Sequence, residues 1–149
     1  MFFEVYESVL KKGEIVYDEK DGAFDILPYC VADSSILIEY IHLEFNSETK
    51  ELMGLWGVSP KMLWIKSRLL PPKSIMGTIR FIGECESGKT IRLKEKAAWK
   101  YYYDWHSGWF CMKRMEDMDG DVCVEIIKDV LFELGNGKIK AIWIKPRFC

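Results

Sequence analysis

Short segments in which apolar and polar residues alternate with a period of two, broken by glycine-containing turns, constrain this chain more than any other feature. Ile79 and Phe81 alternate with Thr78 and Arg80, and Ile91 and Leu93 alternate with Thr90, Arg92 and Lys94. A strand with one wet and one buried face has this pattern. Glu86-Ser87-Gly88-Lys89 lies between the two runs and predicts a hairpin turn. Asp21-Gly22, His106-Ser107-Gly108 and Gly135-Asn136-Gly137 part other short β-branched and aromatic segments in the same way. Turn signals at such spacing predict a mainly β fold, an antiparallel β-sandwich or partly open barrel with one short helix; an α+β arrangement is the alternative.

Two segments depart from the pattern. Ser34–Phe45 is apolar on both alternating faces, which predicts a central strand covered on two sides and kinked near His42. Ser59-Pro60 reads as an N-cap followed by a first-turn proline, so Lys61–Leu70 is either one or two helical turns or a strand. Pro71-Pro72 ends that segment. No linker, repeat or low-complexity tract divides the 149 residues, and a single domain, 1–149, is expected.

Charge narrows the partners. Twenty-one Lys and Arg against 23 Asp and Glu leave a net charge of −2, with a pI near 5.8. A phosphate-binding domain shows a basic face and a pI above ~9, so nucleic acid is not the expected partner. No apolar run approaches the ~18 residues of a membrane span, and Met1-Phe2-Phe3-Glu4 has no basic stretch of the kind that opens a secretion signal. The cysteines (Cys30, Cys85, Cys111, Cys123, Cys149) are odd in number and never form a C-x-x-C pair. They read as free thiols of a reducing, cytoplasmic compartment, the first four packed as small hydrophobes.

Several motifs invite chemistry and fall short of it. Asp104, His106 and Cys111 carry the residue types of a nucleophile, base and orienting group. All three surround one predicted hairpin, however, and Cys111 shares a face with Trp109, which favours a packed thiol. Gly83-Glu84-Cys85-Glu86-Ser87-Gly88-Lys89-Thr90 fits the spacing of a phosphate loop, yet Thr90–Lys94 alternates as a strand where that loop needs a helix. Asp117-Met118-Asp119-Gly120-Asp121 lacks the frame of a calcium loop. His42 and His106 stand far apart with no zinc spacing. No catalytic residue, cofactor or metal ligand is expected.

Acidic residues gather in two groups: Glu14, Asp18, Glu19, Asp21 and Asp25 around the first predicted hairpin, and Glu116, Asp117, Asp119 and Asp121 further on. Negative charge concentrated in this way steers a basic partner and speeds encounter. These nine residues are the expected partner-binding set, with exposed Tyr29, Tyr103 or Trp105 as aromatic anchors.

The last third carries one further pattern. Trp99-Lys100-Tyr101-Tyr102-Tyr103-Asp104 leads to Ser107-Gly108-Trp109-Phe110-Cys111, then Val124-Glu125-Ile126, Asp129-Val130 and Gly137-Lys138-Ile139-Lys140-Ala141-Ile142-Trp143-Ile144-Lys145-Pro146. The succession resembles small bacterial immunity proteins of contact-dependent growth inhibition and related polymorphic-toxin systems. Some of those have an aromatic strand, a Gly-Trp-x-Cys hairpin and a closing Leu/Ile-Trp-Leu/Ile-Lys-Pro strand. The resemblance implies a cytosolic inhibitor without enzymatic activity, which occludes a cognate toxin domain stoichiometrically, often a nuclease with a basic cleft. The competing expectations are a small-molecule-binding β-barrel and a small hydrolase or nucleotide-binding enzyme.

Overall fold

The computed structural model describes residues 1–93, 98–116, 120 and 122–149. Its first strands are β1 (Phe2–Glu7), β2 (Glu14–Asp18), β3 (Ala23–Leu27), β4 (Ser34–Ile38), β5 (Ile41–Phe45), β6 (Leu52–Val58), β7 (Trp64–Lys66) and β8 (Ile75–Ile82). They are followed by β9 (Thr90–Arg92), β10 (Trp99–Tyr103), β11 (Phe110–Arg114), β12 (Val122–Ile127), β13 (Val130–Gly135), β14 (Lys138–Ile144) and β15 (Arg147–Phe148). The strands form two mixed sheets packed as a sandwich. Sheet I runs β1-β8-β12-β13-β14-β11-β10-β7, and sheet II runs β15-β2-β3-β6-β5-β4-β9.

The mainly β expectation is therefore met, with the sandwich rather than a closed barrel. Four neighbouring pairs, β8 with β12, β7 with β10, β2 with β15 and β4 with β9, are parallel. Lys61–Leu63 makes one 3-10 turn before β7, so the short-helix and strand readings of Lys61–Leu70 each hold for part of the segment. Among the described residues no helix is long and apolar enough to cross a membrane.

Three predicted hairpins form as expected: β2–β3, β10–β11 and β13–β14. The one around Glu86–Lys89 does not. β8 pairs with β1 from Phe2↔Ile82 to Glu7↔Gly77 and with β12 at Val124↔Ile75, all in sheet I. β9 lies in sheet II beside β4. Alternation fixes which face a strand buries, not which strand lies next to it, and the chain between β8 and β9 crosses from one sheet to the other. Close to this crossing the sheets are stitched together by a Glu51↔Arg80 bridge and by the Phe81 amide on the Lys50 carbonyl at 2.9 Å.

Ser34–Phe45 is likewise two strands, not one kinked strand. β4 and β5 form a hairpin whose Glu39 takes φ 55°. The core residues are Ile36, Ile38, Ile41, Leu43 and Phe45. Their spacing jumps from two to three across the turn, and this phase slip made the segment look apolar on both faces.

The interior of the sandwich is dense with rings. Tyr17, Phe24, Trp64, Tyr103, Phe110 and Phe148 interlock at centroid distances of 4.8–6.2 Å. Tyr17 Oη donates to the Ser59 carbonyl at 2.7 Å and Trp64 Nε1 to Ser59 Oγ at 3.0 Å, so the buried polar ends are satisfied. A smaller cluster of Cys111, Cys123, Leu131, Ala141 and Trp143 lies on the outward side of sheet I, with Leu69 and Trp109 against it. The chain after β7 crosses this side as a strap. The two sheets thus have different outer surfaces: sheet I is partly covered, whereas sheet II faces outward with its own side chains.

Candidate protein-binding interface

The first acidic group lies on and beside the β2–β3 hairpin. Strand alternation turns Ile15, Tyr17, Phe24 and Ile26 inward and leaves Glu14, Asp18 and Asp25 on the outward side of sheet II. Each of these carboxylates has a different occupation. Glu14 pairs with Arg147 at 2.5 Å. Glu19, in the turn, pairs with Lys61, whose ammonium also stands 4.8 Å from the Phe148 ring centre. Asp18 accepts the amides of Lys20 at 2.9 Å and Asp21 at 3.2 Å and shapes the turn. Asp21 is exposed. Asp25 alone is half-buried and faces a concavity.

That concavity measures about 250 Å³ and is lined by Asp25, Ile26, Tyr29, Cys30, Glu44, Leu55 and Trp56. Its floor is tight at Gly54: a Cβ there would meet Cys30 Sγ at 3.0 Å and Ile26 Cδ1 at 3.6 Å, so a larger residue would require the Cys30 side chain to give way. Trp56, directly across from His42 in the β5–β6 ladder, stacks on the imidazole with ring centres 4.2 Å apart and planes 4° apart. Its indole N–H donates to Glu44. Trp56 is nonetheless 45% exposed, and Tyr29 beside it 74%.

The electrostatics of this site are negative. Burial pushes the Asp25 carboxyl above the ordinary aspartate range, against the single amide, that of Ile26 at 2.8 Å, that donates to it. Burial also pushes the Cys30 thiol up, and the charges of Glu44 and Asp25 add to the shift. Among the described residues, neither Asp25 nor Glu44 has a lysine or arginine partner. An acidic, aromatic, concave patch on a rigid sheet is the recognition chemistry of a protein surface that receives a cation.

Of the second acidic group only Glu116 is described, and it does not line this concavity. Glu116 is exposed and lines a groove of about 430 Å³ outside sheet I, with Leu69, Tyr102, Cys111 and Trp143. Asp117, Asp119 and Asp121 lie outside the described residues. The anchors divide as well: Tyr29 and Trp105 are exposed, at 74% and 61%. Tyr103, expected at the surface, is 6% exposed and packed between Trp64 and Phe148, because β10 turns alternate residues into the sandwich.

The motifs set aside on sequence grounds take these places. Asp104 accepts the amides of Leu69 and His106, each at 2.9 Å, and of Ser107 at 3.4 Å, which holds its carboxyl down at about 2. It ties the β10–β11 hairpin to the strap, while His106 is exposed. Burial pushes the Cys111 thiol up to about 12, so it is protonated at neutral pH. In the crossover, Lys89 pairs with Glu86, and Thr90 opens a strand, its hydroxyl 2.9 Å from that of Ser35. Among the described residues, no three His, Cys, Asp or Glu side chains are grouped to hold a metal ion.

Of the concavity's residues, the sequence had singled out Asp25 and Tyr29. The Trp56–His42–Glu44 group was missed, although one signal for it exists: Trp56 occupies a wet position in the alternation of Leu52–Val58, where a large ring has no packing reason to be. No protein-family profile matches this sequence, and no curated protein is significantly similar to it.

Proposed function

We propose that this chain is an immunity protein that binds a cognate toxin domain in the cytoplasm and neutralises it by stoichiometric occlusion, with the outward side of sheet II as the contact surface. The observation that carries this reading is the concavity itself: half-buried Asp25 and Glu44, neither paired with a cation among the described residues, beside an exposed Trp56–His42 stack. Half-buried negative charge left without a partner costs folding stability, and a partner that supplies the missing cation recovers it on binding. A toxin with a basic substrate cleft has that chemistry. The residues that carry the resemblance to immunity proteins support the reading in another way: Trp99, Phe110, Ile139, Ile142 and Ile144 belong to the core, and a shared scaffold can present different contact surfaces.

Co-expression with the product of the neighbouring reading frame, where the proposal expects the toxin domain to be encoded, tests the proposal. The proposal expects cells to survive toxin induction and the two chains to co-purify one to one; cells that die at the rate seen without this protein overturn it.

A further inference from the structure

We propose that the concavity between β3, β5 and β6 is an arginine receptor, in which one guanidinium of the partner protein is held by Asp25 and Glu44 and stacks along Trp56. The inference rests on the protein-binding reading above and specifies which partner group enters the site.

Two carboxylates from different strands line the same small cavity, and each keeps an oxygen uncommitted. The amide of Ile26 engages Oδ1 of Asp25, and the indole of Trp56 engages Oε1 of Glu44; among the described residues Oδ2 and Oε2 have no hydrogen-bond partner. The charges of both acids push the Cys30 thiol inside the cavity up, and each outweighs the opposing charge of Lys11, which is itself paired with Glu51. A cation is thus favoured there and an anion is not.

The shape of the site selects among cations. The wall is a planar ring system held rigid by stacking at 4.2 Å on His42 and by the bond to Glu44. A guanidinium is planar, weakly hydrated and forked, so it can lie along a ring while it donates to two acceptors at once. An ammonium is a compact, strongly hydrated point charge and gains less from a flat wall. Tyr29, at the rim, and Ile26 and Leu55, deeper in, provide apolar surface for the aliphatic stem.

The test uses the isotope-labelled full chain and three probes: N-acetyl-arginine amide, its lysine counterpart and N-acetyl-citrulline amide, which keeps the shape and lacks the charge. Arginine is expected to bind saturably in the millimolar range, moving the Trp56 indole N–H and the amides of Gly54 and Cys30. Lysine should bind more weakly, and citrulline should leave these signals in place. Asp25→Asn should weaken arginine binding by about tenfold, the scale of one charge-assisted hydrogen bond. Glu7→Gln, at the exposed end of β1 in sheet I, should not change it. Equal binding of citrulline, or arginine shifts located elsewhere, overturns the inference. So does an Asp25→Asn variant with a native spectrum and undiminished affinity. Because these probes involve no toxin, the outcome is independent of whether co-expression protects cells.

Discussion

Asp104 and Asp25 are aspartates in opposite situations, one with its charge satisfied by backbone amides and one with its charge disfavoured by burial. Three backbone amides surround Asp104 and hold its carboxyl at about 2, below the ordinary 3.8. A carboxylate with a depressed folded-state pKa contributes stability that is complete above its unfolded value and is lost as the pH falls through the folded one. Thermal unfolding followed between pH ~5 and ~2 should therefore show a decline that Asp104→Asn largely lacks, with the variant already less stable at neutral pH; parallel curves would sink this assignment. At Asp25 the sign reverses. Burial raises its pKa, so ionisation at neutral pH disfavours the folded state, and removing the charge should help. Asp25→Asn is expected to raise Tm at pH 7, and a lower Tm would mean that an unrecognised donor satisfies this carboxylate.

Among the elements, the hairpins were the most legible. Asn136-Gly137 takes positive φ at both positions, 53° and 76°, the two-residue turn that this dipeptide favours, and the Asp21-Gly22 and His106–Gly108 turns also lay where the sequence put them. What stayed hidden depended on partners distant in sequence. No local pattern tells β8 that its neighbours are β1 and β12, or β9 that it pairs with β4. The β4–β5 turn was legible in retrospect through the phase slip between Ile38 and Ile41. Gly57 shows a long-range demand on a single residue. It sits at φ 157° where β6 passes β5, and a Cβ there would stand 2.2 Å from the Tyr40 carbonyl oxygen and 2.7 Å from Ile41 Cα. Backbone cannot yield as a side-chain tip can, so Gly57→Ala should cost at least about 1–3 kcal/mol. Chemical denaturation measures this, and a variant as stable as the parent would refute the close approach.

At the scale of the whole molecule, two sheets bury one aromatic core and present two unlike outer sides. The strap on sheet I, pinned by Leu69 and Asp104, covers the small cluster around Cys111 and Trp143. Sheet II has no such cover over its acidic concavity. The core was visible in the sequence because burial imposes a period; the site was not, because it is assembled from β3, β5, β6 and the segment after β3, and only the fold brings Asp25, Glu44 and Trp56 to one place. Charge density pointed to the first hairpin, where Arg147 and Lys61 pair with Glu14 and Glu19, a pairing that no count of acidic residues reveals. The most direct measurement is a calorimetric titration of the adjacent toxin domain into the wild-type chain and into Trp56→Ala. A one-to-one complex weakened at least about tenfold by the substitution, with Tm unchanged, is the expected result for a central anchor; a complex indifferent to Trp56 would place the contact elsewhere and contradict the account.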